Sequence, residues 1–358
     1  MAAVLNFSDF TFTAEQIRAV NELIFDEVLK APEIEQLCTI YPGIVFDKEI
    51  GFIGEGGLVG KAGQGCDPTA QEWSIGTRKV KWEPRKWEIL IEQCWTDLES
   101  TAAVYSLKTG KDVADFVDTD YMNLVAEVLI VAIKKFIIRL AWFNDVDAEV
   151  YTPAVGQTPA SGNITVGTDV DFFNILDGFW KQIFQQITTS TKQRVVIAEN
   201  AGANYAAQAL APATAKNYLT NLIYKADIRL RNMSGLFIAC TQSFYDAYEQ
   251  SLAGTALETM YKNLVDGQKT LTFNGIPLIA VPLWDEIIRT YYDNGTKLDY
   301  PHRAVLMHKD VFALGVDGAD SFENIDTWYI KESRKVRTEV MGKADAKILN
   351  PALFQVAI

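Results

Sequence analysis

Gly51-Phe-Ile-Gly-Glu-Gly-Gly-Leu-Val-Gly-Lys-Ala-Gly-Gln-Gly65 carries seven glycines in fifteen residues and leads into an alternating stretch, Glu72 to Trp95. Glycine loses the most backbone freedom on folding, and Phe52, Ile53, Leu58 and Val59 are too sparse to offset that loss within the segment itself. A glycine-rich hairpin of this kind needs a surface to lie on. The surface expected here is a second copy of the chain, which makes the protein a subunit of an assembly. A surface loop on a soluble enzyme is the competing reading.

Outward from this stretch, Trp73 and Ile75, then Val80 and Trp82, then Trp87, Ile89 and Ile91 alternate with polar residues, the pattern of strands with one buried face. Pro84 interrupts them and marks a break or an edge. Upstream, Thr13 caps an amphipathic helix carried by Ile17, Val20, Ile24, Val28 and Leu29 up to Pro32. The flanking residues look extended, so the first fifty residues read as an arm. Downstream, Asp112 caps a helix whose apolar face runs from Phe116 to Leu140. Continued to Asn144, it is roughly 50 Å long at about 1.5 Å per residue.

Gly, Pro, Thr and Ser then dominate from Val150 to Thr168, a loop or domain crossing. Helix Asp171–Ile187, strand Arg194–Ala198, helix Thr214–Arg229, strand Gly235–Cys240 and helix Thr241–Leu252 are expected in turn. A hairpin at Asn274-Gly275 precedes strand Ile276–Val281. This order describes a compact α/β unit from about residue 165 to 320. The carboxyl end returns to strands: Trp328 and Ile330, then Val336, Thr338 and Val340, then Ala346 and Ile348, then Leu353 to Ile358.

At 358 residues, 49% hydrophobic and 22% charged, the chain has the makeup of a packed globular protein. Its 46 acids against 33 bases give a net charge of -13, which argues against tight, sequence-independent nucleic-acid binding. The four cysteines, Cys38, Cys66, Cys94 and Cys240, show neither zinc-type nor disulfide-type spacing and are expected as reduced thiols. No secretory signal is expected at Met1–Phe12. Leu124–Phe143 holds Glu127, Lys134, Lys135 and Arg139, too many charges for a membrane span.

No catalytic set assembles. His302 and His308 have no metal-ligand spacing and read as structural, and neither a Gly-x-Ser-x-Gly elbow nor a phosphate loop appears. Asp169, Asp171 and Asp177, and Asp293, Asn294, Gly295 and Asp299, lack a closed calcium loop; capping and a turn explain them. Arg78, Lys79, Lys81, Arg85 and Lys86 alternate with Val80, Trp82 and Trp87. They read as a solvated strand face pairing with acids of a neighbouring subunit rather than as a nucleic-acid face. No enzyme activity, cofactor or metal is expected.

The order of elements, an arm, a glycine-rich hairpin, a strand, a long helix, an α/β unit and closing strands, resembles the major capsid proteins of tailed bacteriophages, the Hong Kong 97 fold. Trp87–Lys108 leading into Asp112–Asn144 looks like that family's strand and spine helix. Asn274–Asp285 resembles its Gly-Ile-Pro-Val strand, and Arg303–Asp317 with Trp328–Gly342 and Asp345–Phe354 its closing strands. The resemblance implies an α+β fold with an N-terminal arm (1–45), an extended loop (46–92), a peripheral domain built on the spine helix (93–165 and 322–358) and an axial α/β domain (166–321). It further implies pentamers and hexamers of an icosahedral head around double-stranded DNA, with portal, scaffolding and decoration proteins as partners. The protein would reside in the virion after assembly in the host cytoplasm, without a membrane.

Gly56, Gly57, Lys61, Trp73, Arg78 and Lys81 are the expected inter-subunit contacts. Some family members crosslink a loop lysine to an asparagine; Lys61 and Asn350 match in position, but no catalytic acid aligns. Encapsulin shells, which share the fold, and a soluble ligand-binding α/β protein with the hairpin as a lid are the alternatives.

Overall fold

The computed structural model describes residues 32–56, 75–94, 132–133, 135–151, 163–253, 262–265, 268–318, 325–330 and 335–358. The expected helix after Thr13, the glycine-rich stretch beyond Gly56, and residues 112–131 of the expected spine helix lie outside them.

Two sheets organise the chain. The first is built on β15 (Lys335–Ile348), a strand of 14 residues that pairs antiparallel with three others. Its first half takes β14 (Ile325–Ile330), its last residues take β13 (Phe312–Val316), and β4 (Arg85–Cys94) runs along it from Lys335 to Ala344. β1 (Thr39–Tyr41), which follows helix α1 (Pro32–Leu37), adds to β13 in parallel. As the alternation in the sequence requires, Trp87, Ile89 and Ile91 of β4 turn to the core while Leu90 faces out. Gly342 stands opposite Trp87; a Cβ there would come within 2.5 Å of the indole, so only glycine admits the ring.

Pro84 sits where the chain changes partners. Before it, β3 (Ile75–Trp82) pairs with β2 (Lys48–Gly56) as an antiparallel hairpin with an irregularity between Ile53 and Gly56; after it, β4 joins β15. A proline lacks the N–H that continued pairing would use.

The second sheet has seven strands in the order β7 (Arg194–Val195), β16 (Gln355–Ala357), β12 (Ala304–Met307), β8 (Phe237–Cys240), β11 (Ile276–Ala280), β10 (Gln268–Phe273) and β9 (Lys262–Val265). Its central strands are buried on both faces, which is why they read as unbroken apolar runs. One face carries α3 (Pro212–Tyr224) and α5 (Gln242–Leu252) on Ile238, Cys240, Ala304 and Leu306. Between them in the chain lies the one-turn α4 (Ile228–Arg231).

The other face, through Phe237, Ala239, Val305 and Met307, meets α2 (Phe179–Thr189), α6 (Pro282–Tyr291), the end of the spine helix and the first sheet in one shared core. Turn formation at Asn274-Gly275 follows the sequence: both residues have positive φ, 49° and 78°, as a tight antiparallel hairpin requires.

Several boundaries differ from expectation. Helix α2 begins at Phe179, not Asp171; a 3₁₀ turn at Val170–Phe172 precedes it, with Asp169 accepting the amide of Asp171. The reason is tertiary. Gly178 donates to the carbonyl of Asn144 at 2.7 Å, and a Cβ at 178 would lie 3.0 Å from the backbone of Trp142 and Asn144, so the chain must pass the spine helix before it can coil. The strand expected over Arg194–Ala198 stops at Val195 before a 3₁₀ turn at Ala198–Ala201. The helix expected to reach Arg229 ends at Tyr224, and Asp227 caps the next turn by accepting the amide of Arg229.

The two sheets interleave along the chain. Strand β13 (Phe312–Val316) belongs to the first sheet and β16 (Gln355–Ala357) to the second. β16 crosses because both its neighbours, β12 and β7, present free edges to it there.

Candidate functional site

The hairpin meets the body of the protein at its base. On β2 and β3 the register places Lys48 opposite Trp82, Ile50 opposite Val80 and Phe52 opposite Arg78, so these six side chains share one face. That face turns inward: Trp82 is fully buried with Ile44, Ala313 and Leu349, and Ile50, Phe52 and Val80 pack around them. Gly315 supplies the seat, since a Cβ there would lie 2.8 Å from the Trp82 ring. Arg78 stacks its guanidinium over Phe52 at 4.9 Å and donates to the carbonyl of Leu349, tying the hairpin to the residue after β15.

The opposite face is charged and solvated. Lys79 pairs with Glu49 at 2.8 Å, and Lys81 with Asp47 at 2.8 Å and Glu83 at 3.3 Å. These carboxylates hold both ammonium groups above the usual lysine range. Arg78 and Lys81, grouped together by the sequence, thus part company: Arg78 is committed to its own chain and Lys81 faces outward among its own acids. Gly56 closes β2. Gly57, Lys61 and Trp73 lie outside the described residues. Asn350, the other half of the expected crosslink pair, accepts the amide of Ala352 in a local turn.

Both histidines are structural. His302 is buried with one ring nitrogen 2.6 Å from the carbonyl of Gln208 and the other 2.9 Å from Ser243 Oγ. Asp285 beside them accepts the amides of Gln242 and Ser243, capping α5 from another helix. His308 accepts the amide of Asp310 at the start of a 3₁₀ turn. Among the described residues no group of His, Cys, Asp and Glu has the arrangement of a metal site, and no helix is long and apolar enough to cross a membrane.

Sequence reasoning missed two buried charge centres, because their members are far apart in the chain. Arg303, 1% exposed, stacks over Trp180 at 4.8 Å, Phe143 at 5.4 Å and Phe184 at 5.6 Å. It donates to the carbonyls of Tyr300 and Asp299. The Asp299 carboxyl is bonded to Tyr151 but has one oxygen sealed without a partner, and burial pushes it up to about 6. In the second centre Lys181 donates to Asp145 at 2.6 Å and Asp147 at 2.9 Å. Burial raises Asp145; burial also opposes the charge on Lys181, but the two carboxylates outweigh it and hold the ammonium up.

A pH dependence follows from Asp299. Below about pH 4 the carboxyl is neutral both folded and unfolded; between 4 and 6 only the unfolded chain ionises, so stability falls, and above 6 the loss is complete. A shift of about two units corresponds to at most roughly 3 kcal/mol. Asp299→Asn, which still accepts from Tyr151, is expected to stabilise the protein at pH 7.5 and change little at pH 4, as read from urea midpoints at the two pH values.

The arrangement, two sheets sharing one core with a hairpin anchored at its base, defines a mixed α+β fold. It is the fold of phage capsid proteins. No family model and no curated protein matches the sequence. Among solved structures, a chain of the satellite phage P4 procapsid matches over 98% of this chain and 93% of its own, with a TM-score of 0.51 at 11% identity. A chain of Mycobacterium phage Ogopogo matches over 90% of each, also with a TM-score of 0.51 at 11% identity. The SrpI encapsulin of Synechococcus elongatus PCC 7942 aligns at a TM-score of 0.43 and 10% identity, over 98% of this chain and 92% of that one.

Proposed function

We propose that this chain is a major capsid protein with the Hong Kong 97 fold, which self-assembles into pentamers and hexamers of an icosahedral phage head around double-stranded DNA. The observation that supports this reading is the match with the P4 procapsid chain over 98% of this chain and 93% of that one. In this reading residues 1–45 form the arm, 46–92 the extended loop, 93–165 with 322–358 the peripheral domain and 166–321 the axial domain. The role is structural, without catalysis or cofactor.

The physics is consistent. Head-to-tail contacts between copies close into rings, and a glycine-rich hairpin is ordered by the neighbour it lies on. A net charge of -13 leaves packaged DNA loosely held. In this reading Gly56, Gly57, Lys61, Trp73 and the outward Lys81 meet another subunit, while Arg78 holds the hairpin base. Portal, scaffolding and decoration proteins are the further partners, and the virion, assembled in the host cytoplasm, is the location.

Light scattering and negative-stain imaging of the expressed chain test this. Megadalton shells or rings of five and six are expected; a 39.9 kDa monomer that persists with the other virion proteins present overturns it. Gly56→Val with Gly57→Val is expected to leave the sheets folded, by circular dichroism, and to abolish particles, because β-branched residues disfavour the backbone freedom glycine gives the tip.

A further inference from the structure

An open groove of about 580 Å³ lies between β4, the last turns of the spine helix and α6. Ile89 and Ile91 form one wall, Ile133 and Phe136 the floor, and Leu283 and Ile287 the other wall. Leu90 and Phe172, 51% and 56% exposed, stand at its lips. Large apolar side chains gathered around a concave surface mark a binding face more often than isolated exposure does.

Arg139 reaches into this groove from the spine helix. Its guanidinium lies 5.4 to 5.5 Å from the rings of Phe136, Phe172 and Phe173, and its Nε is sealed from solvent without a hydrogen-bond partner. Among the described residues no carboxylate pairs with it. The acids that line the groove are placed otherwise: Glu286 takes Lys135 at 2.5 Å, Asp171 accepts from the side-chain Nδ2 of Asn174 at 3.3 Å, and Glu88 is exposed on β4. The other aromatic-boxed arginine, Arg303, satisfies its nitrogens on two backbone carbonyls. Arg139 has π faces instead, which offset part of the desolvation of a cation but leave its sealed Nε without an acceptor.

We propose that this groove is filled by a segment of a second copy of this chain, which sets a carboxylate on Arg139 between apolar side chains. This rests on the shell reading, in which copies lie against one another. Charge complementarity selects the occupant: each copy has 13 more acids than bases, so carboxylates without a cation of their own are what a neighbouring copy has in surplus. With its Nε sealed against the rings and its remaining nitrogens open to the groove, the guanidinium can take a carboxylate bidentately, which fixes register as well as affinity.

Photo-crosslinking tests the occupant. With p-benzoylphenylalanine replacing Phe172 at the lip, irradiated particles are expected to yield a covalent dimer on a denaturing gel. Mass mapping is expected to place the adduct in a segment containing Asp or Glu. Adding Arg139→Met, or Arg139→Gln as a second neutral variant, is expected to cut the dimer yield at least about tenfold with the circular dichroism spectrum unchanged.

Particles that give no dimer, an adduct mapping to residues 1–31 of the same chain, or a yield indifferent to both variants overturns the proposal. If the unsubstituted chain forms no particles even with the other virion proteins present, the shell reading fails separately. The crosslink is then read in concentrated solution, where a dimer upholds the groove assignment and monomer alone overturns it.

Discussion

Trp142→Ala is expected to destabilise the protein by about 3–5 kcal/mol, the cost of a large aromatic removed from a core that cannot collapse around the gap. Trp142 closes the spine helix, is fully buried, and touches elements from the whole chain. Its ring lies 4.5 Å from Trp284 on α6, 5.0 Å from Phe179 and 5.6 Å from Trp180 on α2, and 5.6 Å from Phe312 on β13. Removing it opens the place where both sheets share a core, so packing is lost on every side at once. A domain is typically stable by 5–15 kcal/mol, so the variant is expected to be partly unfolded at physiological temperature. Thermal unfolding followed by near-ultraviolet circular dichroism measures this. A midpoint within a few degrees of the parent would show that the rings are not a single core.

Lys181→Met is expected to cost about 3–5 kcal/mol at pH 7.5, because it strands Asp145 as a buried carboxylate without a cation. The Lys181 and Asp145 side chains are 5% and 4% exposed, and one oxygen of Asp145 already lacks a partner. The sign with pH is definite. Burial raises the Asp145 carboxyl even with Lys181 present, and removing Lys181 raises it further, so protonation at lower pH relieves the variant. The deficit should therefore shrink from pH 7.5 to pH 5. Adding Asp145→Asn, which keeps an acceptor for the amide of Asp147, should recover a large part of it, and a double-mutant cycle by urea denaturation measures the coupling. A loss in the double variant equal to the sum of the two single losses would show that the pair is not coupled.

Much of the fold was legible in local pattern. The alternation at Trp87, Ile89 and Ile91, the break at Pro84, the Asn274-Gly275 turn and the apolar runs of β8 and β12 each follow from a backbone rule that acts over a few residues. The helix ending at Asn144 was legible for the same reason. The start of α2 was not, since the chain from Val170 to Gly178 is held by the carbonyl of Asn144, more than thirty residues away.

The candidate site was legible only in part. Basic residues at 78 and 81 differ by three positions, so on a strand they fall on opposite faces, a period-two consequence that the composition of the stretch conceals. Arg139 read simply as a charge too costly for a membrane; that it is left without a carboxylate depends on where Lys135, Glu286, Asp171 and Asn174 meet.

The amino-acid sequence by itself determined the strand periods, the turns, the position of Pro84 and the acidic balance, because those depend on neighbouring residues or on a sum over the chain. Only the tertiary structure decided which glycines seat Trp82 and Trp87, that β13 and β16 join different sheets, and that Arg303 is boxed by aromatics while Arg139 waits on a groove. Those outcomes depend on the distances between residues brought together by the whole fold, and no local rule contains them.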